Sequence, residues 1–118
     1  MKAIAISTCA MLLSYASPLL ADTADKVRQA IEASMQGECS DVLSTMVKTA
    51  CEGQTAQAAN IYQRLGALNE LIFKGYESTP NGKAEVYQAI HQNGKMLWLI
   101  IEAPDGRLST FWSPGPTQ

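Results

Sequence analysis

The apolar positions of this chain follow two different periods. From Leu71 to Trp112 they alternate along the chain, interrupted by turn signals at Pro80-Asn81-Gly82, Asn93-Gly94 and Pro104-Asp105-Gly106. That pattern predicts three consecutive β-hairpins. Upstream the spacing lengthens to three and four residues, as in Ala24, Val27, Ile31 and Met35, and again in Ala58, Ile61, Leu65 and Leu68. The chain therefore reads as α+β, with short N-terminal helices packed on one face of a four-stranded antiparallel β-meander.

The turns set an expected register. Asn-Gly supplies the positive φ that a type I′ turn needs at both central positions. Centred on Asn93-Gly94, the hairpin opposes Gln92 to Lys95, Ile90 to Leu97, Gln88 to Leu99 and Val86 to Ile101. A three-residue loop at Pro104-Asp105-Gly106 then sets Leu99 against Phe111 and Trp98 against Trp112. Side chains alternate across a strand, so one face collects Val86, Ile90, Leu97, Leu99, Ile101 and Phe111. The other collects Tyr87, Met96, Trp98, Ile100 and Trp112, with His91 beside them. Neither face is polar. The expectation is that helices cover the aliphatic face and leave the aromatic one for a ligand, a partner or a second copy. Burial of both faces as core is the alternative.

Three helices are expected. Asp22-Thr23 caps the first and Gly37 stops it. Ser40 or Asp41 starts a second, with Val42, Leu43, Met46 and Val47 on one side and an end near Lys48. Thr55 caps a third, whose end Gly66 loosens. Such short helices are not stable alone, so their apolar stripes read as core rather than as a cofactor box. No cofactor is expected.

The N-terminus adds a compartment. Met1-Lys2 precedes an uncharged apolar run from Ala3 to Ala16, then Pro18 as a helix breaker and Leu19-Leu20-Ala21. This layout predicts a signal peptide over residues 1–21, a single domain over 22–118, and a periplasmic or secreted product with no stable membrane anchor after cleavage. Cys9 lies inside the apolar run. The remaining cysteines, Cys39 and Cys51, are expected to form a disulfide. One unbroken helix would hold their Cα atoms ~18 Å apart, against the ~7 Å a bridge tolerates. Either the helix between them is short and the chain folds back, or the thiols stay free; the bridge is the favoured reading.

Charge and motif content narrow the function. The net charge is −2 and the charges are interspersed, which argues against nucleic acid or an anionic membrane as partner. The spacing is not C-x-x-C and there is one histidine, so no tetrahedral metal site is expected. His91, one residue before a turn, reads as a structural or surface group, because no nucleophile or carboxylate accompanies it. Glu85 and Glu102 face each other in the expected register, at the open end of a hairpin where both are solvated. No catalytic set is visible, and the chain is read as non-enzymatic. Tyr87, Trp98 and Trp112, with Tyr62 from the third helix, are the candidate ligand- or partner-binding residues, because aromatic rings with polar tips suit half-wet recognition surfaces.

Leu65-Gly66-Ala67-Leu68, Phe73-Lys74-Gly75, Val86-Tyr87, Asn93-Gly94, Leu97-Trp98, Asp105-Gly106-Arg107 and Pro114 together resemble a small module of unknown function. That module occurs as a C-terminal extension of exported penicillin-binding-like serine hydrolases and alone in secreted bacterial proteins. The resemblance spans residues 54–114. It implies a nuclear-transport-factor-like cone, with helices held in a curved sheet, and a non-catalytic accessory or ligand-binding role. The hydrolase motifs Ser-x-x-Lys and Gly-x-Ser-x-Gly are absent. The expected function is an exported binding module for an unknown protein or small molecule, with a homodimer as one form. A periplasmic inhibitor or immunity-type protein, and a small cone-fold isomerase-like enzyme, are the alternatives.

Overall fold

The computed structural model describes residues 18–117. Most of the expected signal segment, with Cys9, lies outside the described residues. Three helices, α1 (Pro18–Met35), α2 (Thr45–Glu52) and α3 (Thr55–Leu65), precede five strands. These are β1 (Leu68–Thr79), β2 (Gly82–His91), β3 (Gly94–Glu102), β4 (Leu108–Trp112) and β5 (Pro116–Thr117). The sheet is an antiparallel meander in the order β1-β2-β3-β4, with β5 returning to pair with the start of β3. Pro18, expected to break a helix, is the first residue described in α1, a position that tolerates a missing amide. Among the described residues no helix is long and apolar enough to cross a membrane.

The helix caps follow local chemistry. Gly37 takes φ +80°, and the Gly37 and Glu38 amides donate to the Ser34 and Ala33 carbonyls, which closes α1. The second helix starts later than expected, at Thr45, because the Ser44 hydroxyl accepts from the Val47 amide. Val42 lies in a turn and Leu43 in a β-bridge instead of a helix. The Leu108 amide donates to the Val42 carbonyl and the Ser44 amide to the Leu108 carbonyl, so this segment forms a short parallel bridge beside β4. The late start also permits the Cys39–Cys51 disulfide, with a Cα separation of 6.0 Å. Cys39 lies before the helix and Cys51 within it, so the fold-back that a bridge requires occurs between them.

The faces of the sheet are the reverse of the expectation. Tyr87, Ala89, His91, Met96, Trp98 and Ile100 are each at most 6 % exposed and join Val27, Ile31, Tyr62 and Leu65 in the core. Val86, Ile90, Leu99 and Ile101 are only half-buried, and Leu97 is exposed. The helices thus cover the aromatic face. Large rings remove more apolar area from water than aliphatic side chains do. The aliphatic face looks outward.

Both expected registers are displaced, for separate reasons. In β2–β3, Tyr87 opposes Trp98 and His91 opposes Gly94, so Gln92 and Asn93 form the turn. The shift is two residues, which preserves the faces. Among the described residues no non-glycine residue has positive φ, so the turn is not type I′. It is tied to the helix layer: the Gln92 amide donates to the Ala67 carbonyl and the Asn93 amide to the Leu65 carbonyl, at the end of α3. Glycine is needed at position 94 for space, since a Cβ there would lie 2.8 Å from Leu65 Cδ2 and 3.1 Å from the Thr117 carbonyl oxygen.

In β3–β4 the expected register holds at the turn, where Glu102 opposes Leu108, and then slips by one. Ser109 is the extra residue of a β-bulge, so Ile100 opposes Phe111 and Leu99 opposes Trp112. The bulge inverts the faces beyond it. Phe111 turns inward onto Trp98, and Trp112 turns outward, 54 % exposed. Trp98 and Trp112 therefore project to opposite sides of the sheet, against the expected pairing.

Candidate binding cleft

The bulge, the late start of α2 and the disulfide together leave a cleft of about 500 Å³ between α2, α3 and the β4 margin of the sheet. Its floor is Trp98 with Phe111. Their rings stack at 4.1 Å between centroids with 11° between planes. Tyr62 and Ile61 of α3, Met96 of β3, and Val47 and Cys51 of α2 add to the lining, and Trp112 and Ser113 stand at the rim. The volume falls in the range of small-ligand sites.

Two polar atoms in this region are buried without a hydrogen-bond partner: the Trp98 indole Nε1 and His91 Nε2. The indole nitrogen is a donor only. An unpaired buried donor is costly. His91 is anchored by Nδ1, 3.0 Å from the Gly66 carbonyl oxygen. A carbonyl only accepts, so Nδ1 carries the hydrogen and Nε2 is the acceptor. The ring lies 5.9 Å from that of Tyr62. His91 thus ties the β2–β3 turn to the end of α3. Burial pushes the Tyr62 phenol above its usual range, so Tyr62 presents a neutral ring to the cleft.

Of the four aromatic residues proposed from sequence, the cleft brings together Trp98, Tyr62 and Trp112. Tyr87 lies outside it. Its hydroxyl donates to Glu85 Oε1 at 2.6 Å, and its ring meets Phe73 at 5.5 Å. Burial, and then the bond to Glu85, push this phenol upward. Phe111 is the floor residue that the sequence reading put on the wrong face. Only the bulge places it there, and a Ser-Thr pair in a strand does not announce one. The expected opposition of Glu85 and Glu102 is absent, because Glu85 opposes Ile100. Glu102 instead accepts from Thr23 Oγ1 at 2.8 Å and from Lys26 Nζ at 2.8 Å, and Lys26 also donates to the Gly106 carbonyl at 2.7 Å. These bonds fasten α1 to the β3–β4 turn.

A second, shallower depression is lined by Asp41, Thr45, Lys48, Glu52 and Arg107. Lys48 bonds Asp41 and holds its carboxyl below the ordinary carboxylate range. This is a surface ion pair, with no convergent set for chemistry. Among the described residues no cluster of histidine, cysteine and carboxylates could hold a metal ion. Comparison with protein-family models, with curated proteins and with solved structures returned no match.

Proposed function

We propose that this chain is an exported, non-enzymatic binding module whose site is the cleft over Trp98 and Phe111. The unpaired Trp98 indole N–H carries this reading, because it lies in a residue that floors an apolar cleft of ligand size. The occupant is neutral or weakly basic and largely apolar, with a hydrogen-bond acceptor for the indole. Export is supported by the leader-like pattern of residues 1–21 and by the disulfide, a bond that persists in oxidising compartments.

The site can be read with a minimal probe. In the ¹⁵N-labelled, disulfide-bonded protein there are two indole resonances, and the variant Trp112→Phe assigns that of Trp98. Titration with acetophenone, a flat ketone that offers one acceptor, is expected to shift the Trp98 indole resonance saturably. An unmoved Trp98 indole across the solubility range of the probe would reject the cleft as the site.

A further inference from the structure

We infer that the cleft takes an extended peptide segment, which adds as a strand to the free edge of β4 and seats an apolar side chain on the Trp98–Phe111 floor. This rests on the cleft being the binding site and names the partner it fits. Three observations converge on it.

The first is an unfinished pairing. Among the described residues, the backbone bonds on the outer side of β4 are the two made at Leu108 by Val42 and Ser44. This chain thus already lays one of its own segments parallel to β4. At Ser44 that segment turns away as the cap of α2, and from Ser109 to Ser113 the strand margin lines the cleft instead. Alternate residues of an edge strand direct their amide and carbonyl groups outward, so an arriving strand would continue a pairing that the fold has begun.

The second is a contrast between the two edges of the sheet. β1 carries Glu70, Lys74 and Glu77 and two register breaks, between Leu68 and Glu70 and between Phe73 and Gly75. These features block edge-to-edge pairing. β4, Leu-Ser-Thr-Phe-Trp, has no charge and no proline, and its one bulge falls at its first step. Its edge is flanked by α2 rather than guarded by charges of its own.

The third is charge. Among the described residues lining the cleft, Glu38 is the one that carries a formal charge. A strand bearing a lysine or arginine at that end is favoured and an acidic one is opposed. Main-chain bonds to an edge give affinity with little demand on sequence, and pockets for alternate side chains give selectivity.

The test titrates the ¹⁵N-labelled protein with acetyl-Lys-Val-Ser-Val-Ser-Val-amide and two N-methylated versions, each methylated along one edge of the extended peptide. Strand addition predicts saturable shifts at the Ser109–Ser113 amides and the Trp98 indole. It also predicts at least tenfold weaker binding for one methylated version and little change for the other. Replacing the peptide lysine by glutamate should weaken binding several-fold, and Glu38→Gln should erase that difference. Equal binding by both methylated versions, or shifts on β1 instead, would overturn the proposal. So would a β4 edge that sedimentation and concentration-dependent shifts show to be filled by a second copy of the chain. If acetophenone moves the Trp98 indole while the peptide leaves β4 untouched, the cleft stands as the site and its strand occupant falls. If neither moves it, both fall.

Discussion

The Trp98 indole lies flat on the Phe111 ring, 4.1 Å between centroids, although the two residues belong to neighbouring strands and do not oppose each other. The stack exists because Ser109 adds a residue to β4. Phe111→Ala removes half of it and lets water onto the indole. The expected cost is about 2 kcal/mol, below that of a fully buried phenylalanine. Urea unfolding measures the loss, and a red shift of tryptophan emission reports the newly wetted indole. Phe111→Leu should recover most of the stability and little of the stacking.

The Cys39–Cys51 bridge holds α2 against the segment that pairs with β4. Its sequence separation of 12 residues corresponds to about 2–3 kcal/mol of stabilisation. The double substitution Cys39→Ser with Cys51→Ser is expected to lower the urea midpoint by that amount. It should also weaken acetophenone binding, since Cys51 lines the cleft.

Gly94→Ala would place a methyl group against Leu65 Cδ2 and the Thr117 carbonyl oxygen. Over-packing of this kind costs about 1–3 kcal/mol. The partner Leu65→Ala costs stability alone but makes room for the methyl group. The double variant should therefore be more stable than the sum of the two single losses implies, a coupling that thermal unfolding can measure.

Both Tyr62 and Tyr87 hold their protons more tightly than an ordinary phenol, first because they are buried. The Lys26 ammonium is also raised, chiefly by its bond to Glu102. For every group whose folded value is raised, the stabilisation is complete below the unfolded pKa, about 10 for these types, and is lost as the pH rises through the folded value. Stability should therefore be steady up to about pH 10 and fall above it. Phenolate absorbance of Tyr62 and Tyr87 should rise together with the loss of the circular dichroism signal. Tyr62→Phe and Tyr87→Phe should each make the decline shallower. Ionisation of both phenols with the fold intact would contradict their burial.

Much of the architecture could be read from spacing. The change of period near Leu68 separated helices from strands, and the three turn signals fall at the three hairpin turns. The disulfide was expected from an even pair of cysteines in a chain read as exported, a distance argument set the condition that the helix between them be short, and the alternation of β2 and β3 grouped their side chains correctly. What could not be read was which group faces the helices, because both are apolar and no polar face breaks the tie. The identity of the cleft floor was hidden too. Trp98 was singled out, but Phe111 reaches it only through a one-residue bulge, and Ser109 carries no mark that separates it from an ordinary strand residue. The start of α2 was placed early because Ser40, Asp41 and Ser44 are all good caps, and the pairing of Val42 and Leu43 with Leu108 decides among them.

The Gln92 and Asn93 amides of the β2–β3 turn donate to the Ala67 and Leu65 carbonyls at the end of α3. The order of assembly follows from this. A hairpin cut out of the chain over residues 84–103 lacks those carbonyls and should relax to a turn centred on Asn93-Gly94, two residues out of step with the parent sheet. In the intact protein the ribbon cannot settle into its final alignment until α3 has docked, so formation of the sheet is limited by a contact distant from its own turn.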